Sequence, residues 1–318
     1  MKKFNVLIVG AGKIGAFYDN PHSNQILTHA HAFTKHKGYN FLGFVEVNKQ
    51  KAKEAVLRWG GRSFVSLKQA FEENKIDIVC VATPDEHHYK ALKKIASFPV
   101  KLVFAEKPLT KTLKEANSVV SIYKKNKISV VVNYSRRFVP EFNKIQENIE
   151  NGIYGSFITG TGYYGKGLIH NGSHLIDLLR WFLGEVKNFN VINSAYDFYK
   201  DDPSVAAVLT FNKDKPFFLQ YIDCKLFSIF EIDLFFKKRR ILIKEAGKIV
   251  EYRIKKHPIF KDYKTMVKVK EMNTMTLNSI YYAVDNIYEF LTKGVDLKCN
   301  LEESYKTLKS CTDISAHI

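Results

Sequence analysis

A chain of 318 residues that is 46% hydrophobic and 25% charged has an ordinary globular composition, long enough for two domains and a substantial core. No apolar run reaches the roughly 18 residues of a membrane span, so no membrane association is expected. The net charge of +17 comes mostly from lysines spread along the chain, densest in FFKKRR at 235–240. No nucleic-acid recognition motif accompanies it, so it reads as solvated surface and no nucleic-acid partner is expected.

The start, MKKFNVLIVGAG, has the lysines and apolar stretch of a signal peptide but runs into glycines, so it reads as a first strand. NVLIVG (5–10) is the continuous apolar run of a central parallel strand. FLGFVEV (41–47) is the second, SFVS (63–66) a short third, DIVCVAT (77–83) the fourth, KLVFAE (101–106) the fifth and ISVVVNY (128–134) the sixth. Helical patterns alternate with them at 50–60, 87–97 and 113–126, which predicts a doubly wound sheet. The character changes near residue 130. A helical pattern at 141–152 leads into closely spaced strand patterns from about 187 to 256, and helical patterns at 278–294 and 301–314 close the chain. The expected fold is therefore α/β. A Rossmann domain occupies 1–130. An α+β substrate-binding and oligomerisation domain with a mainly antiparallel sheet occupies 131–318. Cys80, Cys224, Cys299 and Cys311 form no CxxC pair and have no zinc-ligand spacing. They are read as reduced thiols, with no metal site and a cytoplasmic home expected.

GAGKIG gives Gly10, Gly12 and Gly15 in the G-x-G-x-x-G spacing, directly after the first strand, with Lys13 and Ile14 between. The first glycine permits a tight turn, the second a close approach to a pyrophosphate, and the third close helix–strand packing. Glu46 ends the second strand, where a carboxylate accepts from the adenosine ribose and repels a 2′-phosphate. This favours NAD. Lys49 and Lys51 just beyond leave NADP open. Glu46 lies further along than the usual ~20 residues, and YDNPHSNQILTH (18–29) reads as the insertion responsible.

VATPDEHHYKAL (81–92), AEKPLT (105–110) and NYSRRFVP (133–140) each follow a strand. With the glycine motif, they make a chain that resembles the Gfo/Idh/MocA oxidoreductases, the glucose–fructose oxidoreductase and inositol dehydrogenase family. The resemblance implies hydride transfer between nicotinamide and a carbon of a sugar, cyclitol or sugar derivative. It also implies a homodimer or homotetramer built through the C-terminal sheet. Lys107 matches the family's active-site lysine, with Glu106 beside it to orient or neutralise it. Thr83 and Pro84 match the loop along the cofactor. His88 falls at a family histidine position read as structural or cofactor-adjacent, and Arg137 is a candidate for the substrate pocket.

GLIHNGSHLIDLLRW (167–181) aligns with the family's Asp-x-x-x-His ahead of a leucine-rich helix. The histidine is His174, suited to take the substrate hydroxyl proton. His170 stands where the family has aspartate, and its catalytic and substrate-lining readings stand level. Asn171 is a polar substrate contact, or with Ser173 a helix cap. Asp177 orients His174 or serves its helix neighbours. Tyr163, Tyr164 and Lys166 either line a sugar pocket or belong to the sheet. The form of this stretch resembles a branch associated with sugar modification for surface polysaccharides. A catalytically idle dinucleotide-binding regulator or scaffold of the same fold is the alternative, for which His170 leaves room.

Overall fold

The computed structural model describes residues 2–211, 215–245 and 247–318. The chain forms two compact units, one from residues 1–138 with 277–306, the other from 139–276 with 307–318.

In the first unit the elements are β1 (Phe4–Val9), α1 (His29–Lys35), β2 (Tyr39–Val45), α2 (Lys49–Trp59), β3 (Arg62–Phe64), α3 (Leu67–Glu73), β4 (Ile78–Val81), α4 (His88–Ile95), β5 (Leu102–Ala105), α5 (Leu113–Asn126) and β6 (Ser129–Val132). The strands form one parallel sheet in the order β3-β2-β1-β4-β5-β6. Every residue of β4 and β5 is buried, as expected of strands covered on both faces. The order reverses between β1 and β4, where a ligand crevice opens at the carboxyl ends of a doubly wound sheet. Parallel pairing sets Gly10, Thr83, Glu106 and Asn133 along that same edge.

The second unit contains α6 (Pro140–Glu150), β7 (Phe157–Tyr164), α7 (Ser173–Leu183) and β8 to β14, of which β8 is Asn188–Ala195, β9 Ser204–Thr210, β10 Pro216–Tyr221, β11 Glu231–Phe236, β12 Arg239–Lys244, β13 Lys248–Lys256 and β14 Lys264–Asn273. Their order is β14-β13-β12-β11-β7-β10-β9-β8, antiparallel except for the β7–β10 pair. One sheet face packs on α7. A Cβ at Gly162 would lie 2.8 Å from Leu175 Cδ1, so the glycine leaves room for that side chain of α7 to pack directly on the strand. Val205, Ala207, Leu209, Phe217, Leu219, Ile232 and Leu234 fill the same core with Leu175, Leu178 and Leu179.

After β14 the chain returns to the first unit through α8 (Ser279–Lys293), and α9 (Leu301–Ser315) is divided between the units at Lys306. The Tyr39 hydroxyl donates to the Val284 carbonyl at 2.6 Å, fixing α8 there. A single boundary at 130 is therefore replaced by a boundary near Phe138 and a returning segment, 277–306. Among the described residues no helix is long and apolar enough to cross a membrane, and all four cysteines are free thiols.

Candidate active site

The glycine motif forms a turn rather than the start of a long helix. Only a five-residue π-helical turn, Lys13–Phe17, follows it before the insertion begins. Gly10 has φ +97, and a Cβ there would lie 2.8 Å from the Ala82 carbonyl. A Cβ on Gly15 would lie 2.4 Å from the Gly10 carbonyl. Both glycines are thus demanded by the protein's own backbone. Gly12 is different: a Cβ there would meet only the Ala82 oxygen, at 4.0 Å. The open space at Gly12 fits a dinucleotide pyrophosphate brought close to the backbone. The buried Thr83 hydroxyl has no hydrogen-bond partner among the described residues, which also suits a ligand at this edge. Glu46 reaches back to the motif, its carboxylate accepting from the N–H of Ala11 at 2.8 Å and of Asn48 at 2.9 Å.

The insertion is pinned at its ends. Asp19 is buried, and its carboxylate accepts from the Leu27 N–H and the Thr28 hydroxyl, both at 2.6 Å, and pairs with His31 Nδ1 at 2.8 Å. Thr28 caps α1, and the Trp59 indole donates to the Ala16 carbonyl at 2.7 Å. The extra residues are therefore built into the nucleotide edge.

Glu106 and Lys107 follow β5, and the Lys107–Pro108 peptide is cis. The buried Glu106 carboxylate faces His29 Nε2 at 2.8 Å and accepts from the Asn133 amide at 2.7 Å. Burial pushes this carboxyl up, but the hydrogen bonds from His29 and Asn133 and the Lys107 charge outweigh it and hold the group below its ordinary value. Lys107 itself is half-buried. His88 is fully buried, its ring nitrogens 2.7 Å from the Pro108 carbonyl and 2.9 Å from the Thr83 carbonyl. It ties the Thr83–Pro84 loop to the Lys107–Pro108 loop, leaving neither nitrogen for a ligand.

In the second unit, Gly167–Gly172 forms a π-helical turn that enters α7. Its cap comes from elsewhere: the carboxylate of Asp202 accepts from the N–H of Ile169 at 2.9 Å and of His170 at 2.8 Å. Gly167 has φ +81, and a Cβ there would lie 2.2 Å from Asp202 Oδ2, so the turn needs glycine. Asp197 holds the preceding residue, accepting from the Lys166 N–H at 2.6 Å. The capping expectation is corrected here. Ser173 makes no side-chain cap, and the Asn171 amide donates to the Gly165 carbonyl at 2.8 Å. His170, Asn171 and His174 are all half-buried. A cavity of about 380 Å³ is lined by Lys166, His170, Asn171, Phe198, Cys224 and Ser228. The Lys166 ammonium lies 4.7 Å from the Phe198 ring centre, and the Tyr199 hydroxyl 3.4 Å from His170 Nε2. Asp202→Ala would leave two backbone donors without their acceptor. It is expected to lower the unfolding free energy by about 1–3 kcal/mol, read as a lower urea midpoint at unchanged slope.

Arg137 and Tyr163 each hold a defined place in their own unit. Arg137 is buried, its guanidinium paired with Glu303 at 3.3 Å and donating to the Lys298 carbonyl. It ties the returning segment to the rest of the first unit. Tyr163 points to the opposite face of β7 from Tyr164 and Gly162, the residues that meet the core and α7, because side chains alternate along a strand. Asp177 is buried and accepts from the Thr307 hydroxyl at 2.9 Å, in a network continued by Arg180 and Glu185. Sequence reasoning missed Asp19, His29, Asn133, Asp197 and Asp202. His29, Asn133, Asp197 and Asp202 reach partners 27 to 77 residues away, and Asp19 closes a loop of 8 to 12 residues, so no short motif marks them.

Comparison with known proteins agrees with this geometry. Residues 4–134 match the family described as Oxidoreductase family, NAD-binding Rossmann fold. The rhizopine catabolism protein MocA of Rhizobium meliloti is 28% identical over 170 residues, covering 47% of this chain and 53% of that protein. An inositol 2-dehydrogenase of Corynebacterium glutamicum is 25% identical over 198 residues, covering 58% and 55% respectively. The alignments thus span about half the length of these curated relatives. The WlbA dehydrogenase of Bordetella pertussis, solved in complex with NADH and UDP-GlcNAcA, shares the fold with a TM-score of 0.79 at 16% identity, over 99% of this chain and 95% of that one. The family likeness is thus carried by residues 4–134, the part of the chain that is similar to the NAD-binding Rossmann fold of these oxidoreductases.

Proposed function

We propose that the protein is an NAD-dependent oxidoreductase that moves a hydride between nicotinamide and a hydroxyl-bearing carbon of a sugar, cyclitol or sugar derivative. The observation that carries this reading is Lys107, set beside a buried carboxylate on the same sheet edge as the open Gly12 turn. Bound NAD supplies the hydride acceptor. Gly10, Gly12 and Gly15, with Lys13, Ile14, Thr83 and Pro84, hold the dinucleotide, and Glu46 accepts from its ribose. The Lys107 ammonium hydrogen-bonds the reacting hydroxyl and stabilises alkoxide character as hydride leaves carbon. His174 takes the hydroxyl proton on its imidazole as the carbonyl forms. In the reverse direction it returns that proton. His170, Asn171 and Lys166 offer an imidazole, an amide and a cation to a hydroxyl-rich or anionic substrate.

The substrate class we favour is a sugar nucleotide used in surface polysaccharide synthesis. The cavity beside Lys166 and the likeness to a dehydrogenase solved with UDP-GlcNAcA support it. Assembly as a homodimer or homotetramer through the open face of the second sheet is supported by Phe218 and Ile192, 43% and 64% exposed there. Free thiols throughout support a reducing, cytoplasmic setting.

The cofactor assignment is tested by thermal shift, because a ligand that binds only the folded state stabilises it. NADH is expected to raise Tm more than NADPH at equal concentration, and Glu46→Ala to narrow the gap. A larger shift with NADPH would refute the role given to Glu46.

A further inference from the structure

The Glu-Lys-Pro segment is held from behind by a group outside the glycine and lysine motifs. His29, the last residue of the insertion, opens α1 and is fully buried, with its ring edge-on to Phe104 at 4.8 Å. Its Nε2 and the Asn133 amide converge on one Glu106 oxygen, at 2.8 and 2.7 Å. The other Glu106 oxygen accepts the N–H of Lys107 at 3.3 Å. His29 Nδ1 has no partner among the described residues. A carboxylate out of water stays ionised only when donors replace that water, and here the donors come from His29, Asn133 and the backbone. Lys107 itself and Cys80 on β4 also feel this carboxylate, and burial and the Glu106 charge push the Cys80 thiol well up.

We propose that His29 is a positioning residue for Lys107: with Asn133 it keeps the buried Glu106 carboxylate ionised and fixed, and that anion keeps the neighbouring Lys107 side chain charged. The proposal rests on the reading of Lys107 as the active-site lysine. It gives the insertion a purpose, since the Asp19 bonds that close residues 18–28 deliver His29 to Glu106.

Dimethylation of the lysines with an isotope-labelled reagent keeps their charge and lets NMR follow Lys107, assigned by the signal lost in Lys107→Arg. In the parent, the Lys107 signal should report Glu106 titrating below the ordinary glutamate value of ~4.3. In His29→Leu that step should rise by at least one pH unit, and in His29→Gln, which restores a donor, it should fall back. In Glu106→Gln the step should vanish, and Lys107 should lose its own proton at lower pH than in the parent. If His29→Leu does not fold, Asn133→Ala removes a donor from the same oxygen and should raise the step likewise. An unmoved step in the folded variant, or an unmoved Lys107 titration in Glu106→Gln, overturns the proposal. These shifts are read without substrate. Failure of Lys107 as the active-site lysine would instead appear as full turnover in Lys107→Ala, with the shifts intact.

Discussion

Lys107→Ala is expected to lose at least two orders of magnitude in kcat, about 2.7 kcal/mol of barrier, while Tm and NADH affinity stay near parental values. Lys107 is half-buried at the end of β5, so truncating it removes little packed surface. The backbone around it is fixed independently, through His88 to the Pro108 carbonyl and through Glu106 to its own N–H. On the proposed mechanism, the variant loses the cation that stabilises the negative charge developing on the substrate oxygen. That interaction strengthens in the transition state, so the loss falls on kcat more than on KM. Steady-state kinetics beside a thermal melt separates this from unfolding. Near-parental kcat in a folded Lys107→Ala would remove the lysine from the mechanism.

The second large effect is expected at His174. As the proton acceptor in alcohol oxidation it must be neutral, so the parental rate should rise with pH through a histidine-like pKa, ~6.5 before perturbation. His174→Ala should lose most activity and flatten that limb. His170 tests the departure from the family pattern. Its ring rests on Tyr199, with centres 4.8 Å apart, and its N–H is held by Asp202. If it only lines the cavity, His170→Asn should weaken substrate binding and leave the profile in place. If the two rings share a proton, their titrations are coupled and His170→Asn shifts the profile. His170→Asp restores the family's carboxylate. An anion favours the charged imidazole, so the pKa of His174 should rise and the profile move to higher pH. Near-parental rate with an unchanged profile in His174→Ala would pass the proton role to another group, Lys107 first.

The parallel sheet was legible because burial on both faces makes β1, β4 and β5 continuous apolar runs that alternate with helical patterns. β14 was not, because it is an edge strand whose exposed lysines hide the alternation. α3 was missed because its seven residues offer only two buried positions. The return of 277–306 to the first unit was hidden as well. An apolar stripe such as Ile280, Ala283, Val284 and Ile287 says that α8 is buried, not against what. Of the candidate site, the tight turn at Gly10 and Gly15 and the place of Glu46 beside it were readable from spacing and strand ends, whereas Lys107 was singled out by the resemblance alone. The partners of Arg137, Glu303 and Lys298, lie more than 160 residues away, so its burial could not be read from the motif around it. Asp202 and His29 act across folds of the chain, at separations of 32 and 77 residues from their partners, where sequence spacing carries no signal.

The central claim, hydride transfer from a sugar-like alcohol to NAD, is tested most directly by mixing the NAD-loaded protein with myo-inositol, UDP-N-acetylglucosamine and its uronic acid, and following NADH absorbance in a single turnover. The account predicts NADH formation with at least one of these, abolished in Lys107→Ala. Tight NAD binding with no reduction by any of them, and no oxidation of NADH by the corresponding ketones, would contradict it and leave a dinucleotide-binding protein without the chemistry.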